Sequence, residues 1–234
     1  MNEMDKNNYY FNNVTVEQTN GFVRKVLFNM VLGILITAIV PVYLNIFDTD
    51  LLFKLQSSIK FILIGQVALV LFLSMGINKI STFAARIMFF LYAFTNGIVL
   101  SGITFIFNIN DILYALAIAF TLFLVTGIYG YTTKEDLTKY SKFLTGALFT
   151  IIIVSIVNIF LGLPFIYWII TVLGVVIFSA LIAYDINRIK IIAMSSGNMD
   201  GATLEKMGII GALNLYLDFI NLFLYVLRLV SRKK

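Results

Sequence analysis

Two residue types are missing altogether from this chain, cysteine and histidine. Their absence excludes disulfides, zinc sites of the Cys/His kind, haem ligation through His, and any Ser-His or Cys-His nucleophile. It also removes the side chain that ordinarily titrates near neutral pH, so a pH sensor here has to be a perturbed carboxylate or amine. Proline is scarce, with only Pro41 and Pro164, both near ends of apolar runs where a helix tolerates them. Charge is scarce as well. Charged residues make up 12% of the chain, where a soluble domain averages roughly a quarter. Against this stand 60% hydrophobic residues and a mean hydropathy of +0.96. A water-soluble fold could not hide that much apolar surface, and no soluble catalytic domain fits in what remains. The net charge of +5 does not mark a nucleic-acid binder. The basic residues lie in short loops between apolar spans, where they orient a membrane protein.

A spanning helix needs about 20 apolar residues, and seven segments qualify: 23–44, 59–76, 84–107, 112–131, 143–161, 165–188 and 208–230. The sequence therefore predicts an all-α polytopic membrane protein of seven transmembrane helices. Residues 1–22 read as a polar cytoplasmic tail without a signal-peptide pattern, 23–230 as the transmembrane domain, and 231–234 as a basic tail. The connectors Asn108 to Asp111 and Gly162 to Pro164 are so short that the spans they join form antiparallel hairpins. In the third span Ala93, Gly97 and Ser101 recur every four residues, a small-residue seam for close helix packing. Tyr92, Thr95 and Asn96 beside it are expected to bond neighbouring helices rather than a substrate.

Lys6, Arg24, Lys25, Lys79, Arg86, Lys134, Lys139, Lys142, Arg188, Lys190 and Lys206 fall on one side of this arrangement, which makes that side, and the N-terminus, cytoplasmic. The opposite loops hold Lys54 and Lys60, but seven full crossings also put Arg228, Arg232, Lys233 and Lys234 outside. Either the last segment crosses against the rule or it re-enters. Its length favours crossing.

Of the 12 acidic residues only Asp185 and Asp218 lie inside apolar spans. A charged side chain there costs upwards of roughly 2.5 kcal/mol, so it faces protein or water and commonly marks a functional path. In the last span Asn214, Asp218, Asn221, Tyr225 and Arg228 follow steps of four, three, four and three, which places them on one narrow helical face. The remaining positions are mostly Leu, Ile, Phe and Val, so this helix belongs at the centre with its polar stripe lining a cavity. If the two carboxyl groups approach each other they cannot both ionise cheaply, and one proton will be shared. Deprotonated, Asp185 and Asp218 would attract a cation. Calcium wants six to eight oxygens, so Asn214, Asn221, carbonyls and water would complete a weak site of the kind conduction requires. The bland alternatives are an ion pair of Asp185 with Arg188 or contact with interfacial water.

The segments FLYAFTNGIVLSGI from Phe90, YGYTTKEDLTKYSKFL from Tyr129, LGVVIFSALIAYDINRIK from Leu173 and GALNLYLDFINLFLYVLRL from Gly211 resemble the transmembrane Bax inhibitor motif family, in particular its bacterial members. The resemblance spans most of the chain. It implies a seven-helix fold with the last helix wrapped by the other six. It also implies a proton-sensitive calcium leak whose aspartate dyad would be Asp185 and Asp218, a part in calcium homeostasis and stress protection, and in some bacterial members restraint of a membrane protease. The implied location is the bacterial cytoplasmic membrane, with calcium as the transported ion, protons as regulator, the lipid bilayer as surroundings and no cofactor. Some members carry a glutamate in the second helix and an arginine latch at its cytoplasmic end. Here Gln66 stands near the former position and no arginine occupies the latter, leaving Lys79, Arg86 or Arg188 as possible latches.

Two other classes compete with the leak. Intramembrane aspartyl proteases also place Tyr-Asp in one helix and an aspartate in the next, and Tyr184 with Asp185 fits the first half. Their second motif has glycines before its aspartate, however, whereas Leu215, Tyr216 and Leu217 precede Asp218, so no enzyme is expected. The third class is an interaction protein whose aspartates only stabilise folding while its surface regulates a partner such as a membrane protease.

Overall fold

A computed structural model describes residues 14–231. Among the described residues the chain is helical, with eight α-helices: α1 (Val16–Ile46), α2 (Thr49–Ser57), α3 (Ile59–Gly76), α4 (Thr82–Ser101), α5 (Ile109–Thr132), α6 (Ser141–Leu161), α7 (Pro164–Met194) and α8 (Gly201–Val230). Seven of them, all but α2, are long and apolar enough to cross a bilayer, and the protein is an all-α polytopic membrane protein.

Hydropathy marks where the spans lie, but local bonding sets where the helices end. α1 begins at Val16, inside the stretch read as tail, because Thr15 and Gln18 form a capping box. Gln18 N donates to Thr15 Oγ1 at 3.1 Å and Thr15 N to Gln18 Oε1 at 2.8 Å, satisfying two amides the helix leaves unpaired. Lys6, Arg232, Lys233 and Lys234 lie outside the described residues. α7 and α8 likewise run past their apolar limits, because helical hydrogen bonding continues through the charged residues that end a hydropathy window. α8 is unbroken over 30 residues, about 45 Å at 1.5 Å per residue, so the last segment contains no re-entrant turn. It is also the most enclosed span: 67% of its apolar window is buried, against at most 39% in any other. The sequence did not announce α2. Asp48 caps it, accepting from Leu51 N at 3.0 Å, and its single buried side chain, Leu52, packs with Val40, Leu44 and Ile98.

The chain divides into two compact units, Met1–Ile106 with Ile192–Tyr216, and Phe107–Ile191 with Leu217–Lys234. In the first, α1 meets α4 along the small-residue seam. Ala93, Gly97 and Ser101 are all buried, and a side chain at Gly97 would come within 2.7 Å of Val40 Cβ. Ser101 accepts from Gln56 Nε2 of α2 at 3.1 Å, and Thr95 accepts from the buried Gln66 of α3 at 3.3 Å. The centre of this unit holds a buried polar chain. Thr37 Oγ1 donates to Ala93 O at 2.8 Å, so in its 2.6 Å contact with Tyr216 the phenol is the donor, and that phenol accepts from Asn96 Nδ2 at 2.8 Å. The Tyr216 ring meets Phe89 and Tyr92 edge-on at 5.8 and 5.9 Å. Thr95 and Asn96 thus bond neighbouring helices, as the sequence implies, while Tyr92 meets α8 through its ring. At one end of the unit Glu205 of α8 pairs with Lys25 of α1 and Arg86 of α4.

In the second unit the α6–α7 hairpin is fixed by its turn. Gly162 takes a left-handed backbone with φ of 60°, a conformation that ends helices readily only for glycine. Its N–H bonds Asn158 O at 2.8 Å, Leu163 N bonds Asn158 Oδ1 at 3.2 Å, and Pro164 opens α7, where its missing N–H is not needed. The approach of α5 to α7 needs glycine too. A side chain at Gly130 would overlap the Ala183 backbone, and one at Gly127 would come within 2.8 Å of Ile186 Cδ1.

Candidate functional site

The second unit holds both embedded acids. Asp185 lies on α7 and Asp218 on α8, with 6% and 9% of their surfaces exposed, and their carboxyl groups are close enough to act on each other. Ionised carboxylates only accept hydrogen bonds, so two carboxyl groups this close either share a proton or repel each other as like charges. The Asp218 Oδ2 is buried and, among the described residues, meets no hydrogen-bonding partner. Nothing from a neighbouring amide or cation therefore neutralises this oxygen, and the pair has to hold its own proton or admit water or a cation.

α7 is held firmly at this level. Asn187, 1% exposed, accepts from Leu137 N at 3.0 Å and donates to Gly130 O and Glu135 O at 3.2 and 3.1 Å. Lys190 Nζ donates to Tyr131 O and Thr133 O, both at 2.8 Å. Glu135 is in turn gripped by Lys139, whose hydrogen bond, with a second from Tyr140, holds this exposed carboxyl below its ordinary range. Beside Asp218, Phe219 meets Phe123 of α5 edge-on at 5.8 Å.

The rest of the polar stripe has separate fates. Asn221 turns onto its own helix, donating to Leu217 O at 2.8 Å. Tyr225 stacks on Phe178 at 5.6 Å, Arg228 lies 5.1 Å over the Tyr225 ring, and Asn214 belongs to the other unit. Among the possible latches, Arg188 is exposed and close enough to Asp185 to act on it electrostatically, yet no ion pair joins them among the described residues. Arg86 is engaged by Glu205, and Lys79 is exposed on the first unit. Among the described residues no cluster of three or more His, Cys, Asp or Glu could hold a metal. Two carboxyl groups supply at most four of the six to eight oxygens calcium prefers, so a cation here would be bound weakly.

The sequence reading missed three residues that organise these sites. Glu205, one of the acids read as lying outside the apolar spans, is a bridging anion, Asn187 clamps a connector to α7, and Tyr216 centres the polar chain. The general signal was available for Asn187, since an amide inside an apolar span must find partners.

A family model described as inhibitor of apoptosis-promoting Bax1 matches residues 19–234. The chain belongs to this family. Among relatives, the inner membrane protein YbhL of Escherichia coli strain K12 is 36% identical over 207 residues, covering 88% of each chain. An uncharacterised protein of Borreliella burgdorferi is 37% identical over 218 residues, covering 92% of this chain and 93% of its own. A Caulobacter vibrioides protein is 47% identical over a shorter stretch of 100 residues. Asp185 and Asp218 both fall inside the span matched to the Bax1-inhibitor family.

Proposed function

We propose that this Bax1-inhibitor family protein is a pH-sensitive leak for calcium, without enzymatic activity or cofactor, in a bacterial cytoplasmic membrane, with its N-terminus in the cytoplasm. The observation that carries the reading is the approach of two buried carboxyl groups, Asp185 and Asp218, the only embedded acids of a chain without histidine. While one proton bridges them, the site is closed and bears at most one negative charge. Loss of that proton leaves two like charges in a poorly screened interior, which separate or recruit a divalent cation whose charge matches theirs. Arg188 is a cation that acts electrostatically on Asp185 and serves as the latch candidate. The inner-membrane location of YbhL and the bias of basic residues to one set of loops support the placement. Calcium homeostasis and stress protection are the processes such a leak would serve.

An aspartyl protease is disfavoured by the packing before Asp218, where Leu215 and Tyr216 are fully buried and no glycine opens the backbone to a substrate strand. The test is calcium flux against pH in liposomes containing only the purified protein, for wild type, Asp185→Asn, Asp218→Asn and the double variant. Both single variants should lose pH dependence alike, and the double should add little to either. Four folded proteins with one pH profile refute the dyad as sensor. No flux at any pH from the protein alone favours the interaction protein that restrains a membrane partner.

A further inference from the structure

Outward along α8 from Asp218, the polar face passes Asn221, Tyr225 and Arg228. Asn221 is bonded to its own helix, so Tyr225, about 10 Å along the axis from Asp218, is the next obstacle on that face. Its ring lies nearly parallel to Phe178, with 28° between planes and 5.6 Å between centres. It occupies the space where α7 has Gly174, since any side chain at Gly174 would overlap it. A stacked ring pair seated on a glycine leaves no room for a hydrated cation. Beyond it opens a cavity of about 540 Å³ lined by Ser155, Asn158, Ile159, Tyr167 and Ile170 together with Arg228. Arg228 is held over the Tyr225 ring at 5.1 Å, has no acidic partner among the described residues, and cannot lose its charge in a protein.

We propose that Tyr225 on Phe178 forms the closure of the leak on the cavity side of the dyad, and that Arg228 makes the cavity a field that discriminates cations by their charge. This deepens the leak reading and rests on it. The two parts act differently. A ring blocks by volume, whatever ion arrives. A fixed positive charge raises the energy of an approaching cation in proportion to that ion's charge, so the factor it imposes on a divalent ion is the square of the factor it imposes on a monovalent one. For an arginine one or two ion diameters from the path, at interfacial screening, removal should raise potassium flux roughly threefold and calcium flux roughly tenfold.

The experiment measures potassium and calcium fluxes in liposomes containing the full chain as wild type, Arg228→Gln, Tyr225→Ala and Lys142→Gln, beside the dyad variants. Arg228→Gln should raise both fluxes, with the calcium factor near the square of the potassium factor. Tyr225→Ala should raise both by a common factor. Lys142→Gln, an exposed charge at the far end of α6, should change neither. Because Arg228 is exposed, its variant tests the idea even if loss of the Tyr225 ring impairs folding. A wild-type leak that responds to the dyad variants while Arg228→Gln leaves both fluxes unchanged, or scales them equally, overturns the field and leaves the leak standing. Absence of flux from wild type and Tyr225→Ala alike overturns both readings.

Discussion

Replacing Tyr216 by phenylalanine removes one oxygen from the middle of a buried polar chain and leaves the ring in place. The edge-on contacts with Phe89 and Tyr92 at 5.8 and 5.9 Å need only the ring, so the hydroxyl alone is tested. Two hydrogen bonds disappear, the 2.6 Å bond to Thr37 and the 2.8 Å bond from Asn96. Thr37 keeps its partner in Ala93 O, but the Asn96 amide is left without its acceptor in a largely buried place. Hydrogen bonds between membrane helices are worth about 0.6–2 kcal/mol, and an unsatisfied buried donor costs about 1–3 kcal/mol. The phenol also sheds its own desolvation cost, so the net loss should be about 1–3 kcal/mol. Reversible unfolding in mixed detergent micelles measures it as a shift in midpoint at constant slope. Thr37→Val in the same background completes a double-mutant cycle, and the pair should fall short of additivity by about 1 kcal/mol because they share one bond. A Tyr216→Phe protein as stable as wild type would refute the assignment of this chain as a helix-to-helix bond network.

Gly130→Ala should destabilise the protein by about 1–3 kcal/mol, the range for overpacking, because the added methyl overlaps the Ala183 backbone; unfolding midpoints of Gly130→Ala and of the exposed control Gly146→Ala, where a side chain meets nothing, give the comparison. Asp200 begins α8 by accepting from Thr203 N at 2.9 Å, and its bonds to Thr203 hold its carboxyl below the ordinary value of 3.8. A depressed carboxyl contributes stability above its ordinary value and loses it as pH falls below that value. Asp200→Ala should therefore weaken the fold at pH 7 but not in strong acid, whereas Asp200→Asn should retain the cap and flatten that part of the pH profile; parallel melting series from pH 2 to 7 check both.

How much of this was legible in the sequence depended on which physical quantity wrote it there. Bilayer thickness writes long apolar runs, so all seven spans were readable, and Ile59–Gly76 even to its ends. The cost of a buried charge writes rarity, so Asp185 and Asp218 stood out and do lie together. Hydrogen-bond networks write almost nothing. Asn96 was marked as a residue that bonds a neighbouring helix, but its partners were not, because Thr37, Asn96 and Tyr216 sit 59 and 120 positions apart along the chain. α2 was invisible for the opposite reason: Asp48, Asp50 and Lys54 make it look like a loop, and only its cap and Leu52 show it to be a helix. The stripe on α8 was a correct face but not one environment, because helical phase tells which side a residue is on and not what stands opposite.

The grip that Asn187 and Lys190 keep on the connector after α5 gives the protein a handle. Lys134, Glu135 and Asp136 are exposed, yet the backbone carrying them is bonded to α7 two and five residues beyond Asp185 through Gly130, Tyr131, Thr133, Glu135 and Leu137. Whatever grasps that surface, a partner protein or a raised antibody fragment, takes hold of the helix that carries one half of the buried acid pair without entering the bilayer.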